Sequence, residues 1–178
     1  MFMCGGPPAH SKMRYAADTL ALAVGDDSGS RLYWALVDPG LADSADASFH
    51  DYEGTGSFYT SLSCDPERTQ ENLAIVLEVL GEVQREGISA EELSQARSKI
   101  LSRVVRGSER PKGRMMALGM AWTYQHEYRS VDDDLRAYES VTLEAVRQVL
   151  DRYPLDQVTA LALGPLKSLQ GPSANGQA

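Results

Sequence analysis

Apolar residues recur along this chain in two different periods, and each change of period marks an element. The opening Phe2-Met3-Cys4 run reads as the end of a strand, stopped by Gly5-Gly6-Pro7-Pro8. After Ser11, a candidate N-cap, the residues Met13, Ala16, Ala17, Leu20 and Val24 recur at helical spacing until Gly25. Arg31 to Val37 reads as a second, short helix, broken at Asp38-Pro39-Gly40. Residues 42 to 63 lose the helical period. Phe49, Tyr52, Phe58, Tyr59 and Leu62 among Ser and Thr predict two antiparallel strands joined near Glu53-Gly54.

The second half reads as helical until near its end. Asp65-Pro66-Glu67 predicts a helix start, with a cap, a first-turn proline and a first-turn acid. Leu73, Val76, Leu77, Leu80 and Val83 form its stripe and Gly87 closes it. Ser89 with Glu92 is a capping-box pair opening a helix striped by Leu93, Ala96, Ile100, Leu101 and Val104. A further helical segment covers about Pro111 to Tyr128, where Met115, Met116 and Met120 read as core packing. Another starts at Thr142 with Val146, Val149 and Leu150. "QVTALALG" then reads as an apolar strand, and "KSLQGPSANGQA" as a polar tail expected to be disordered. This order predicts an α+β fold, with helices packed on one face of a mainly antiparallel sheet. One domain over residues 1–166 is expected, its first strand cut short, followed by the tail at 167–178.

Composition narrows the function classes. A length of 178 residues suits one domain with a substantial core, and the net charge of -8 argues against nucleic-acid binding. Cys4 and Cys64 stand far apart and read as reduced thiols. The short apolar start lacks a basic leader and no stretch is long enough for a membrane span, so the default expectation is a cytoplasmic protein with no membrane partner.

No catalytic or metal residue is assigned to this chain. His10, His50 and His126 are its three histidines, and neither His50-Asp51-Tyr52-Glu53 nor His126-Glu127 continues into a second imidazole. No nucleophile elbow or phosphate loop occurs. One charge feature stands out: Arg97, Lys99, Arg103, Arg106, Arg110, Lys112 and Arg114 face a single acid, Glu109, across residues 97 to 114. The simpler reading is a solvated helix face; the sharper one is a basic wall facing an anionic partner, peptide or subunit.

Several stretches occur together and in order: "RYAADTLALAVGD", "DSGSRLY", "PGLAD", the two strands, the helix after "DPER", "GISAEELSQARSKILS" and "ALGPL". The combination resembles the C-terminal, non-catalytic domain of the pitrilysin/insulinase-like zinc metallopeptidases, the inverzincins, over roughly residues 1 to 166. The resemblance implies a half of a clam-like protease that closes around an extended peptide. It places zinc and the H-x-x-E-H helix in a separate N-terminal catalytic domain or subunit. That partner would perform zinc-dependent endopeptidase chemistry, while this chain carries no cofactor and no activity of its own.

The family's C-terminal half also commonly supplies an Arg and a Tyr, the Tyr directly after "GLA", that hold the substrate backbone. Here Asp43 follows Gly40-Leu41-Ala42, and the Arg position falls on Leu36 in a gapless alignment. Leu has no donor and a carboxylate repels a carbonyl oxygen. Arg31 matches the family's "SRL" Arg, which is structural. The substrate-binding residues are therefore unknown. The alternative to the substrate-enclosing domain is a proteolytically inactive scaffold or interaction subunit that retains the fold, as in the core subunits of respiratory cytochrome complexes.

Overall fold

The computed structural model describes residues 1–170, so the expected tail lies outside the described residues from 171 onward. Strands β1 (Phe2–Gly6), β2 (Ser44–Asp51), β3 (Gly56–Ser63) and β4 (Thr159–Ala160) form one antiparallel sheet in the order β2-β3-β1-β4. The helices are α1 (Met13–Gly25), α2 (Thr69–Glu86), α3 (Ala90–Ser108), α4 (Pro111–Gln125), α5 (Val131–Glu139) and α6 (Leu143–Arg152). The fold is α+β with an antiparallel sheet, as the patterning predicts.

Helix α1 is the centre of the packing. Its Ala16, Ala17, Leu20, Ala21 and Val24 are buried against β2, α3 and α6. On the sheet side they meet the row Ala47–Thr60–Phe2 and the row Phe49–Phe58–Cys4. Gly25 permits this approach, because a Cβ there would sit 2.0 Å from the Ala47 backbone nitrogen. Ser11 lies one residue before the observed cap at Lys12, although its Oγ still accepts the Met13 N–H at 3.2 Å. Burial lifts the Cys4 thiol to about 12, with Asp156 adding to the shift, and Cys4 and Cys64 are both free.

Other local expectations are met with shifts. The hairpin turns at residues 52–55, and Gly87 closes α2 with φ +78°. Ser89 and Glu92 form the reciprocal capping box of α3. Pro66–Arg68 is a separate 3-10 turn before α2, and Asp65 caps nothing through its side chain. Arg31 to Val37 widens into a π-turn over Tyr33–Val37, where the Asp38 N–H reaches the Tyr33 carbonyl at 2.9 Å.

Three expectations are corrected. The helix predicted over 111–128 stops at Gln125, where His126 takes φ 54°, and α5 follows behind a second capping box, Ser130 with Asp133. The apolar strand near the end shortens to Thr159 and Ala160, paired with Met3 and Phe2, and Leu161 exchanges backbone hydrogen bonds with Met1 just beyond. The Met-rich segment is not core: Met115, Met116 and Met120 are exposed, and Ala121 is the buried residue of α4. Its apolar character runs around the whole helix, while α3 is the main neighbour it packs against.

Candidate functional site

Three surfaces bear on function: the turn at 31–43, the uncovered sheet face, and a polar cluster where α1 meets α5. The turn is held from below by Arg31. Its Nε and Nη2 reach the two Glu92 carboxylate oxygens at 2.6 and 3.0 Å, and Nη2 also donates to the Gly87 carbonyl at 3.1 Å. Glu92 is thereby shared between the α3 cap and this fork. Burial opposes its charge, but the Arg31 and Ser89 hydrogen bonds outweigh that and hold its carboxyl below the usual range. Arg31 is a structural tie, in keeping with the sequence reading.

Leu36 is fully buried and its carbonyl accepts the N–H groups of Leu41 and Ala42 at 2.9 and 3.0 Å. The position that gapless alignment gave to a substrate-holding Arg thus faces the core here. Asp43 is exposed, and its N–H bonds the Ser63 carbonyl at 2.8 Å as the strands begin. The turn keeps its shape without offering a donor side chain at either place.

The sheet is covered on one side only. On the other, Met3, Tyr59 and Ser48 stand in one cross-strand row and Gly5, Ser57 and His50 in the next. Asp46 accepts a hydrogen bond from Ser61 on the same face. His50 meets Tyr59 edge-on with ring centroids 5.4 Å apart. Alternation of small hydroxyls and exposed Met with the buried inner rows is the pattern of a strand pair wetted on one side.

Arg14, on the first turn of α1, pairs with Asp51 at 2.8 Å and stacks over Tyr15 at 4.5 Å. Arg129 donates to the Tyr15 hydroxyl at 2.7 Å and lies 3.4 Å from Asp134. Tyr138 on α5 donates to Asp18 at 2.7 Å. Burial raises the Asp18 carboxyl, partly offset by the Tyr138 hydrogen bond, and raises the Tyr138 phenol well above its ordinary value. These side chains surround a cavity of about 280 Å³, and they fasten the α4–α5 region to α1 and β2.

The histidines do not converge into a metal centre. His10 Nδ1 lies 3.2 Å from the Glu53 carbonyl, His50 is on the open sheet face, and His126 ends α4. Among the described residues no group of three or more His, Cys, Asp or Glu side chains is arranged to hold a metal ion.

The basic run divides in two. Lys99 reaches Asp26 at 2.7 Å and Arg103 donates to its other oxygen, so both cations end at the C-terminal end of α1. Burial pushes the Asp26 carboxyl up, but these two hydrogen bonds prevail and it is held below its usual range. Arg97 donates to the Glu139 and Val141 carbonyls, and Arg114 to that of Arg129. These four tie α3 and α4 to neighbouring elements, with Lys99 and Arg103 still partly solvated. Arg106, Arg110 and Lys112 carry no salt bridge among the described residues.

Comparison with known proteins follows the same architecture. The family model described as the peptidase M16 inactive domain matches residues 2–100. An uncharacterized zinc protease of Mycobacterium tuberculosis is 30% identical over 85% of this chain, and the chain spans 35% of that relative's length. The inactive peptidase domain of a candidate zinc protease from Bordetella parapertussis superposes with a TM-score of 0.73 at 21% identity, covering 94% of this chain and 92% of that one. A chain of Complex III2 from Candida albicans shares the fold, with a TM-score of 0.75 at 12% identity over 85% of this chain and 39% of its own length. No described helix is long and apolar enough to cross a membrane.

Proposed function

This chain belongs to the peptidase M16 inactive-domain family, and from that premise we propose that it is the substrate-enclosing, non-catalytic domain of a zinc-dependent endopeptidase. Peptide-bond hydrolysis is carried out by a separate domain or subunit bearing H-x-x-E-H, where zinc supplies the activated water. The functional unit contributed here covers residues 1–166. Its role is to wall in an extended peptide and to pack against the catalytic half.

The observation that carries this reading is the one-sided sheet. Helices seal one face, while the other presents Met3, Tyr59, Ser48 and His50 to whatever lies opposite. This wetted, polar face is free to line a chamber, with hydroxyls and an imidazole able to hydrogen-bond an extended peptide.

The test mixes this chain with an H-x-x-E-H-bearing half of the same family, adds zinc, and follows cleavage of an unstructured peptide. Cleavage in the mixture and in neither component alone is the expected result. Stoichiometric zinc on this chain alone, or turnover by it alone, would overturn the proposal. A second reading, an inactive scaffold subunit, is favoured by Leu36 and Asp43 standing where the family carries donors. Tight association with that half, but no hydrolysis, selects it.

A further inference from the structure

Helix α4 presents an apolar surface that the fold does not use. Met115 and Trp122 lie on one ridge of its exposed arc at i and i+7, and Met116 and Met120 on the next ridge at i and i+4. Trp122 is 60% exposed and Met115 62%, although side chains of this size ordinarily gain stability by full burial. Between the ridges stands Gly119, in the helix interior, and a Cβ built there would meet nothing within 4 Å. Neither packing nor a positive φ asks for glycine at this position, and it weakens the helix relative to alanine. What it leaves is a notch floored by backbone and walled by thioethers and an indole. His126 meets the indole edge-on with centroids 6.2 Å apart, at the C-terminal end of the wall.

Charge defines what fits. Lys112 stands on the same exposed arc one turn before Met116, with Arg110 just before α4 and Arg106 in the last turn of α3. These three make no salt bridge among the described residues, and unlike Arg97 and Arg114 they donate no side-chain hydrogen bond to another element there. Their setting is notable in a chain of net charge -8. A Met-lined groove adapts to varied apolar side chains, and unpaired cations beside it select neighbouring carboxylates.

We propose that the α4 notch is a peptide-docking site for extended segments in which apolar side chains alternate with acidic ones. An apolar side chain seats over Gly119 between Met116 and Trp122, and flanking carboxylates meet Lys112 and Arg110. The site lies on a helix packed against α3 and not on the open sheet face, so it goes beyond the enclosing role. It is read out as binding by this chain alone, so its failure leaves the companion-dependent cleavage test standing.

The chain has two tryptophans, and Trp34→Phe leaves Trp122 as the reporter. The probes are fifteen-residue peptides: a Glu-Leu-Ser repeat, the corresponding Lys-Leu-Ser repeat, and a Glu-Ser-Ser repeat. A saturable shift of Trp122 emission is expected with the first, and affinities at least about tenfold weaker with the other two, equivalent to about 1.4 kcal/mol. Gly119→Leu fills the notch while improving helix propensity, so it raises the melting temperature and weakens Glu-Leu-Ser binding at least about tenfold. Lys112→Glu weakens it with unchanged stability. Undiminished binding by Gly119→Leu would overturn the site. So would the absence of a saturable shift at millimolar peptide, or equal binding of the Lys-Leu-Ser repeat. A Trp122 shift that grows with protein concentration without peptide, in step with sedimentation as a dimer, would assign the surface to a second copy instead.

Discussion

Helices α1 and α4 have similar lengths and comparable shares of apolar residues, yet they occupy opposite places in the molecule. Eight residues of α1 are buried, against Ala121 alone in α4. The difference lies in residue size and arrangement. α1 places small side chains and Gly25 where it crosses β2, so its backbone approaches the sheet and its larger Leu20 and Val24 drop into the core. α4 spreads its apolar residues around its circumference, with Met and Trp on the exposed arc, so one neighbour can cover only a fraction of it. Apolar content thus fixes how much surface wants cover; periodicity and size decide whether this chain provides it.

The largest test of that contrast is a pair of truncations. Leu20→Ala removes a side chain with no exposure and is expected to cost about 3–4 kcal/mol. Met116→Ala, at 52% exposure, is expected to stay within about 0.5 kcal/mol. Urea denaturation of the two variants measures both, and comparable losses would mean that α4 is covered in solution. Next in size is Asp26→Ala. It leaves Lys99 and Arg103 without their shared carboxylate at the end of α1, a loss of about 2 kcal/mol because both cations are partly solvated. Since the folded Asp26 carboxyl is held below its ordinary value, its contribution is present above about pH 4 and fades as pH falls further. The Asp26→Ala penalty should therefore shrink in acid.

Tyr138→Phe probes how α5, the element next to α4, is fastened to α1, and its pH signature has the opposite sign. Asp18 is raised by burial, so its protonated form is favoured in the fold and stability falls as pH rises through its folded value. Removing the Tyr138 hydroxyl takes away a donor that sustains the carboxylate. The expected loss is about 1.5–2 kcal/mol at neutral pH and less near pH 4, read from melting curves at the two values. An equal loss at both would mean that Asp18 remains protonated at neutral pH.

What the sequence revealed follows the same division between local and non-local causes. The capping box of Ser89 and Glu92, the closing Gly87 and the alternation through Phe49 and Phe58 are short-range signals, and each names its element. The Ser130–Asp133 box is equally local and was the available sign of α5, although the apolar patterning assigns no element between Tyr128 and Thr142. The partners of Lys99 and Arg103 were not legible, since Asp26 lies far from them in sequence and only the packing of α1 on α3 joins them. The exposure of Met115 and Met116 is of that second kind: composition suggests core, and only the tertiary arrangement withholds the cover. For the candidate site, the resemblance correctly placed the chain in a family, whereas Leu36 as a core residue required the fold.

The smallest effect isolates α4 most sharply. Gly119→Ala adds one methyl in open space on an exposed helical arc, so packing is unchanged and only the backbone cost of glycine is relieved. The variant should gain about 0.5–1 kcal/mol, seen as a higher urea midpoint with an unaltered slope. The corresponding change in α1, Gly25→Ala, drives a methyl into the Ala47 backbone and must destabilise. Opposite signs for the same substitution on two apolar helices would show that glycine serves close packing in one and is unnecessary to the fold in the other. If Gly119→Ala also destabilises, something already occupies the notch in the free chain, and α4 is less bare than its exposure implies.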